Sequence, residues 1–338
     1  MSSGEQPAAK RAKGAAVHIA VIAEPTDDSL SVLEQLPSNA KIVATAPTKE
    51  ELLKKDLSEV EVLLRCVGDG YLVEALMPSM PKLRWIHTRS NGVDSLLKSE
   101  KVRDSSIPVT NSRGAYSRTL AEYTIGACLY FAKDMNRLRQ QQKRAQWEKF
   151  PMRELHKATL GIVGYGDIGQ TTAKLAQAFG MKVVALRRRP ELSASDPLID
   201  RCFKPDQICE LMALSDYVLV GAALTPHTKG LVNAEAIAAM KQSAVLVNVS
   251  RGPIVDEPAL IQALQQSKIR GAALDVFCEE PLPADHPFYK QDNLLLSPHN
   301  ADITTTFRHE ALELFVGNVR RLVAGEELAN VVDKRLGY

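Results

Sequence analysis

The chain of 338 residues is 45% hydrophobic and 24% charged, an ordinary globular composition with enough length for two domains. A formal net charge of +2 is too small to indicate nucleic acid or membrane partners through long-range attraction. No apolar run reaches the length of a transmembrane helix, and the N-terminus has no signal-peptide core. The five cysteines show no CxxC pair and no metal-ligand spacing, so we expect free thiols, no metal site and a cytoplasmic protein.

Residues 1–14 predict a disordered tail, because their small, polar and basic side chains have little surface to bury. Lys10, Arg11 and Lys13 leave a second interpretation open, in which this tail is a nuclear address. A solvated tail is the simpler of the two interpretations.

From Val17 onward, β-like runs alternate with helical patterns, which predicts an α/β protein. The first helix is expected over 29–36 and the last over 304–324. The β-like run at 329–332 can then return to the first sheet. The strands of that first, open sheet are expected over 17–23, 41–44, 60–64, 85–88 and 107–110.

A single long helix is predicted over 117–150. Its first half is apolar at Leu120, Ala127 and Phe131, whereas its second half reads RLRQQQKRAQWEK, so we expect burial followed by exposure. A long exposed helix is typical of a homodimer interface, although a solvated helix on a monomer explains the pattern as well.

Residues 113–300 are expected to form a second domain with a repeated order of strand and helix. That order predicts doubly wound parallel sheets and two Rossmann-like domains, the other formed by residues 15–112 and 301–338. The strands of this second sheet are expected over 160–163, 182–186, 217–220, 244–248, 271–274 and 293–296.

The turn after the first of these strands carries a GxGxxG run, with Asp167 and Ile168 between its last two glycines. Gly164 permits a tight turn, Gly166 lets a pyrophosphate approach the backbone, and Gly169 lets helix and strand pack closely. The helix that follows, expected over 170–179, offers its N–H groups to the phosphates. The turn therefore predicts a dinucleotide site.

The end of the next strand predicts which dinucleotide is bound. An acidic residue there would bind the ribose hydroxyls of NAD, but the chain has Arg187, Arg188 and Arg189. A guanidinium can bind a 2′-phosphate through two hydrogen bonds, so we expect NADP to be preferred and NAD to be possible. Arginines on the surface at a strand end are the alternative.

Three charged residues follow three later strands: Arg251, Glu280 and His299. Residues beyond the carboxyl ends of parallel strands line the ligand crevice, so these three can converge. A histidine can give and take a proton near neutral pH, a neighbouring carboxylate stabilises the charged ring, and an arginine can hold a substrate carboxylate. This set predicts reduction of a carbonyl group in a small acid.

Four blocks of the chain are similar, in order and spacing, to signatures of the D-2-hydroxyacid dehydrogenases: GYGDIGQ, NVSRGPIVDEPAL, GAALDVFCEEPLP and LLLSPH. The resemblance extends roughly from Val17 to Leu336. It implies that the domain containing both chain ends binds the substrate, that His299 is the acid/base with Glu280 as its partner, and that Arg251 orients the substrate.

The resemblance also implies binding residues outside this triad. The backbone N–H groups of Asn91 and Gly92 would hold the substrate carboxylate, and Asp275 would bind near the nicotinamide. Further cofactor-groove positions implied by the match are Ala222, Ala223, Thr228 and Val249. Arg65, just past a strand of the first sheet, could bind the substrate, but a lone arginine is more often a surface residue.

The chain departs from the family pattern in two places. Asn300, Ala301 and Asp302 follow the histidine, where small or apolar residues are usual, and Ala222 and Ala223 replace the usual proline of the cofactor groove. We expect reduction of a 2-keto acid such as glyoxylate or hydroxypyruvate to the D-2-hydroxy acid. A dinucleotide-binding sensor protein without significant turnover, similar to the family's corepressor relatives, is the alternative.

Overall fold

The computed structural model describes residues 16–193 and 195–338. They divide into two compact units, one formed by the chain up to Ala115 together with Thr305–Tyr338, and the other by Tyr116–Thr304. The predicted disordered tail and its basic residues lie outside the described residues. In the part of the chain that the structure describes, no helix is both long and apolar enough to cross a membrane.

The first unit is a parallel sheet with the strand order β2-β1-β3-β4-β5. Its strands are β1 Val17–Ile22, β2 Ala40–Ala46, β3 Val62–Arg65, β4 Trp85–Thr88 and β5 Val109–Asn111. Its helices are α1 Lys49–Leu52, α2 Gly70–Leu76, α3 Asp94–Leu97, α4 Glu100–Asp104 and the C-terminal helix Phe307–Ala324, with 3-10 turns at Asp28–Gln35 and Met77–Ser79. The predicted strands are therefore present.

Both faces of this sheet are buried, as parallel sheets require. Alternate residues of β1 enter different cores: Ala20 and Ile22 pack on the side of α2, whereas Ile19 and Val21 pack on the C-terminal helix. This explains why the strands are nearly continuous apolar runs rather than alternating ones.

The segment after the C-terminal helix returns to this sheet, as the sequence predicts. Val331 bridges Thr110 in antiparallel fashion, and the Val332 N–H donates to the Val109 carbonyl at 2.8 Å. The edge strand β5 is thereby covered by the end of the chain.

A small polar network lies inside the first unit. His87 is fully buried, with Nδ1 2.7 Å from Thr110 Oγ1 and Nε2 3.3 Å from Ser112 Oγ. The indole N–H of Trp85 donates to the same threonine oxygen, and the Phe315 ring stacks on the indole. Burial lowers the pKa of His87 to about 3, so the ring is neutral and hydrogen-bonded at physiological pH.

The second unit contains a parallel sheet of seven strands among its described residues, in the order β12-β11-β10-β9-β6-β7-β8. The strands are β6 Thr159–Val163, β7 Lys182–Leu186, β8 Arg201–Phe203, β9 Tyr217–Val220, β10 Val245–Asn248, β11 Gly271–Leu274 and β12 Leu294–Leu296. The helices are α5 Ser117–Ala132, α6 Met135–Lys143, α7 Asp167–Ala178, α8 Ile208–Leu214, α9 Ala234–Ala238 and α10 Glu257–Gln265. The predicted fold class, α/β with two parallel sheets, is confirmed, although the short β8 was not anticipated.

The expectation of one helix over 117–150 is wrong. The chain is interrupted at Asp134, which adopts a left-handed conformation with φ 50°, and the carboxylate of Asp134 accepts the Arg137 N–H to cap α6. After Lys143 the chain is no longer helical. A capping side chain offers the backbone an alternative to a continuous helix, which hydrophobic periodicity does not reveal. The expected change from burial in α5 to exposure in α6 is confirmed.

Because of His87, we expect the free energy of unfolding of the first unit to fall in acid. Because its pKa is lower in the folded than in the unfolded chain, the unfolded chain binds more protons below about pH 6.5. This stability contribution is complete above that pH and falls as the pH drops toward 3. Between pH 6.5 and 5 we expect a loss of about 2 kcal/mol from this residue.

The measurement is urea unfolding followed by the fluorescence of the buried Trp85, in the wild type and in His87→Gln. The variant should show a shallower decline in the free energy of unfolding with falling pH. His156→Gln, at an exposed histidine, is the control and should keep the wild-type slope. Equal slopes in all three proteins would contradict this account.

Candidate active site

The glycine-rich turn leaves β6 and enters α7, and each glycine there has a separate reason. Gly164 has φ +98°, and a Cβ on it would lie 2.5 Å from the Ala222 backbone. A Cβ on Gly169 would lie 2.7 Å from the Gly164 carbonyl oxygen, so any side chain would separate helix from strand. A Cβ on Gly166 would meet nothing within 4 Å. Gly164 and Gly169 thus close the turn, and Gly166 leaves its surface open for a ligand.

The beginning of α7 fits an anionic group. Gly166 is the N-cap residue and makes no side-chain capping bond to the first turn. The Asp167 carboxylate accepts a hydrogen bond from Ser117 Oγ at the start of α5, and Ile168 is half-buried in the same turn. N–H groups at the start of a helix of this length and the positive end of its dipole suit a pyrophosphate. The residues present therefore fit a dinucleotide.

The loops beside this turn are also shaped by short contacts. Thr228 Oγ1 donates to the Ala223 carbonyl at 2.6 Å and accepts the Thr225 N–H at 2.8 Å, which folds the segment after β9 into a compact turn. Val249, which follows β10, is buried. The predicted groove residues Ala222, Ala223, Thr228 and Val249 thus follow strands that neighbour β6 or β9.

Arginines follow β7, as the sequence shows. Arg187 is half-buried and donates from its guanidinium to Ser193 Oγ, whereas Arg188 and Arg189 are exposed. The end of this strand therefore presents positive rather than negative charge to an adenosine ribose.

His299 and Glu280 form a direct pair. His299 Nδ1 lies 2.7 Å from Glu280 Oε2, and both side chains are partly exposed. The other carboxylate oxygen of Glu280 accepts the Phe277 N–H at 2.9 Å, which fixes the carboxylate. With Nδ1 engaged by a carboxylate, Nε2 is the nitrogen that can exchange a proton with a ligand.

The backbone around His299 is held by Asp275. The His299 N–H donates to the Asp275 carbonyl at 2.8 Å, and the N–H groups of Asn300 and Ala301 donate to Asp275 Oδ1 at 2.8 and 3.0 Å. These bonds hold His299 at φ 53°, a left-handed conformation that non-glycine residues seldom adopt. Asp275 thus positions the histidine; its predicted contact with the nicotinamide stays a prediction.

Arg251 lies in a preformed loop after β10. Asn248 binds this loop at both ends, because its amide donates to the Arg251 carbonyl at 3.1 Å and its oxygen accepts the Ser250 N–H at 3.1 Å. A Cβ on Gly252 would lie 2.0 Å from the Phe277 carbonyl carbon, so only glycine lets this loop pack against the segment that carries Glu280.

Asp302 joins the same cluster. Burial raises the pKa of its carboxyl group, and the repulsion of Asp275 adds to that effect, while the positive charges of His299 and Arg251 oppose it. The strands that lead to Arg251, Glu280 and His299 are adjacent in the sheet, in the order β10-β11-β12.

In the first unit, Arg65 is buried, and the interpretation of it as a surface residue is wrong. Its guanidinium makes five hydrogen bonds, two to the Gly68 carbonyl and one each to the hydroxyls of Thr88, Ser90 and Ser95. A guanidinium has five N–H donors, so Arg65 is committed to shaping this loop. The run of apolar residues in β3 was the only signal for its burial.

Asn91 and Gly92 lie in the loop that Arg65 holds. The Asn91 carbonyl accepts a bond from the Asn111 amide at 2.7 Å, and the Gly92 carbonyl accepts one from Ser90 Oγ at 2.9 Å. These two bonds hold the backbone carbonyl groups of the loop. Among the described residues there is no cluster of His, Cys, Asp or Glu suited to a metal ion.

Comparison with known proteins identifies the family of this chain. The family model "D-isomer specific 2-hydroxyacid dehydrogenase, NAD binding domain" matches residues 125–301. The chain is similar to the glyoxylate reductase of Thermofilum pendens, with 34% identity over 298 residues, covering 86% of each protein. It is also 34% identical over 316 residues to the D-3-phosphoglycerate dehydrogenase of Methanocaldococcus jannaschii, covering 91% of this chain and 57% of that relative.

A solved structure shows the same fold. The D-isomer specific 2-hydroxyacid dehydrogenase from Xanthobacter autotrophicus Py2, in complex with NADPH and MES, superimposes with a TM-score of 0.84 at 30% identity. The match covers 96% of this chain and all of that one. The chain described here belongs to the D-isomer-specific 2-hydroxyacid dehydrogenase family and is an NAD(P)-dependent oxidoreductase.

Proposed function

We propose that this dehydrogenase reduces small 2-keto acids to D-2-hydroxy acids, with glyoxylate and hydroxypyruvate as the first substrates to test, and prefers NADPH to NADH. The observation that carries the proposal is the His299–Glu280 pair, at 2.7 Å, beyond the two strands that come next in the sheet to the one leading to Arg251. The glyoxylate reductase name of one relative and the NADPH in the similar structure support the substrate and the cofactor.

The residues divide the chemistry between them. When bound, the reduced nicotinamide supplies the hydride for the carbonyl carbon. His299 Nε2 gives a proton to the carbonyl oxygen as negative charge develops there, and Glu280 stabilises the positive charge that the ring carries beforehand. Arg251 binds the substrate carboxylate and polarises the ketone, which places the carbonyl for reaction.

The proposed NADPH preference rests on Arg187 and Arg188. Their guanidinium groups follow β7, at the carboxyl end of the sheet, where a 2′-phosphate would be recognised. An acidic side chain at this point would repel that phosphate, and none follows the strand directly.

We also propose a homodimer that uses the region after α5. Trp147 is 96% exposed, and Met135, Leu138 and Met152 are exposed nearby in sequence. Exposed apolar side chains clustered along one segment are typical of an interface. The substrate, the cofactor and a second copy of the chain are thus the partners of this proposal.

The first prediction of this proposal concerns the reacting groups. His299→Ala and Arg251→Ala should each lower kcat/KM for glyoxylate or hydroxypyruvate by at least about 100-fold, because proton transfer or substrate anchoring is lost. NADPH binding, measured by fluorescence titration, should remain. His156→Ala, at an exposed histidine before the amino end of β6, is the control and should keep wild-type activity.

Two outcomes would contradict this assignment. Retained turnover in His299→Ala would remove His299 from its proposed role as proton donor. Binding of NADPH by the wild type, without reduction of any acid in a broad panel of 2-keto acids, would favour the sensor protein instead.

The second prediction concerns cofactor choice. The wild type should show a lower KM for NADPH than for NADH, and Arg187→Ala should raise the NADPH value about 10- to 100-fold, because a charge-assisted hydrogen bond is lost. The NADH value should change little. Arg201→Ala removes the same charge from the amino-terminal end of β8 and serves as the control. A wild-type preference for NADH would overturn the cofactor proposal.

The third prediction concerns assembly. Trp147→Glu should shift the mass measured by light scattering from dimer toward monomer, because a carboxylate would be buried in an apolar interface. Tyr71→Glu changes an exposed aromatic residue of the first unit and should leave the mass unchanged. A wild-type protein that is monomeric at micromolar concentration would contradict the dimer.

A further inference from the structure

Tyr165 lies between the first two glycines of the glycine-rich turn, and its side chain is buried. It is only 2% exposed, although the next residue, Gly166, is exposed and a Cβ there would meet nothing within 4 Å. Its hydroxyl donates to Asp196 Oδ2 at 3.0 Å. A residue of the phosphate turn is thereby bound to the loop that carries the arginines, which we call the arginine loop (residues 187–193 and 195–200).

Asp196 organises that loop. Its other carboxylate oxygen accepts the Leu198 N–H at 2.9 Å, and its own N–H donates to the Ser193 carbonyl at 3.2 Å. The far end of the loop is fixed independently, since Asp200 exchanges hydrogen bonds with Val183 at the amino end of β7. Asp196 is therefore the link between the turn and the part of the loop nearest to the arginines.

Ser193 completes the connection to Arg187. The serine is buried, and its hydroxyl accepts a hydrogen bond from the Arg187 guanidinium. A continuous path of hydrogen bonds thus runs from Tyr165 through Asp196 and Ser193 to Arg187. The hydrogen bond to Ser193 thus anchors this guanidinium to the backbone of the loop, which Asp196 holds in place.

The Tyr165–Asp196 hydrogen bond also keeps the negatively charged carboxylate of Asp196 occupied. Burial raises the pKa of the tyrosine hydroxyl, and the carboxylate beside it raises that pKa further, so the hydroxyl stays a proton donor. The charges of Asp196 and Arg187 both act on this hydroxyl, which places the three groups in one neighbourhood. An Asp196 carboxylate released from the tyrosine would compete with a phosphate for the arginine.

We propose that Tyr165 is a positioning residue for cofactor specificity: through Asp196 and Ser193 it holds the Arg187 guanidinium where a 2′-phosphate is bound, and it keeps the Asp196 carboxylate engaged. This inference rests on the proposed preference for NADPH. It assigns to a residue of the phosphate turn a role in distinguishing two cofactors that share the same pyrophosphate.

The test is Tyr165→Phe, which removes one hydroxyl and keeps the buried ring. The KM for NADPH should rise about fivefold, the effect of one lost hydrogen bond in a network. The KM for NADH and the kcat at saturating NADPH should stay at wild-type values. Tyr217→Phe is the matched control, because that tyrosine is also buried in the second unit. The arginines whose charges act on the pKa of its hydroxyl are Arg270 and Arg153 rather than Arg187.

The double variant Tyr165→Phe/Arg187→Ala separates this inference from the proposed function. In the Arg187→Ala background the tyrosine change should have no further effect on NADPH, because the group that it positions is gone. A large Arg187→Ala effect with none from Tyr165→Phe would overturn the positioning role alone. No NADPH preference in the wild type would overturn the proposed cofactor and the inference with it.

A merely structural role for Tyr165 has a different signature. It would raise the KM of both cofactors together or lower the thermal unfolding midpoint without changing their ratio, and either result would overturn the inference. Asp196→Ala, which removes the acceptor of the tyrosine hydroxyl, provides a second variant if Tyr165→Phe does not fold. Relative to the wild type it should raise the KM for NADPH about fivefold and leave the KM for NADH unchanged, and equal changes in both values would overturn the inference.

Discussion

The buried carboxylate of Asp275 is the interaction on which the proposed active site depends. One of its oxygens accepts two backbone N–H groups, and its carbonyl accepts a third from His299. A charged side chain that is nearly inaccessible to water is costly unless such donors satisfy it. Here the donors come from the segment that carries His299, the proposed proton donor. The hydrogen bonds around Asp275 therefore stabilise its buried carboxylate and also fix the backbone of His299.

At the glycine-rich turn, too, a few residues both hold the fold together and shape the ligand surface. Gly164 and Gly169 allow strand, helix and the next loop to approach within distances that a Cβ would forbid, and Gly166 leaves open space. The turn is shaped by packing on two sides and by a ligand surface on the third. Tyr165, between these glycines, connects that surface to the loop that carries the arginines.

In the first unit, too, buried polar side chains are satisfied by hydrogen bonds. Its sheet is apolar on both faces, yet it encloses His87 and Arg65. Each is matched to nearby hydroxyls or carbonyls, so that burial does not leave polar atoms without partners. His87 stays neutral because burial lowers the pKa of its ring, and Arg65 holds the loop that contains Asn91 and Gly92.

Much of the fold was predictable, because the runs of apolar residues that form parallel strands are long and uninterrupted. The order of these runs predicted two parallel sheets and the position of most strands. The break at Asp134 and the three-residue strand β8 were not predictable, since a single capping side chain and a very short strand leave no periodic pattern. The burial of Arg65 was missed because its hydroxyl partners, Thr88, Ser90 and Ser95, are distant in sequence.

The sequence by itself determined the class of fold, the dinucleotide turn and the identity of Arg251, Glu280 and His299 as chemically suitable groups, because those features reside in local patterns. Only the tertiary structure decided which groups meet. It paired His299 with Glu280, bound the histidine backbone to Asp275 and connected Tyr165 to Arg187 through Asp196 and Ser193. Hydrogen bonds between residues far apart in the chain depend on how strands are ordered in a sheet, and that order is a property of the packed molecule.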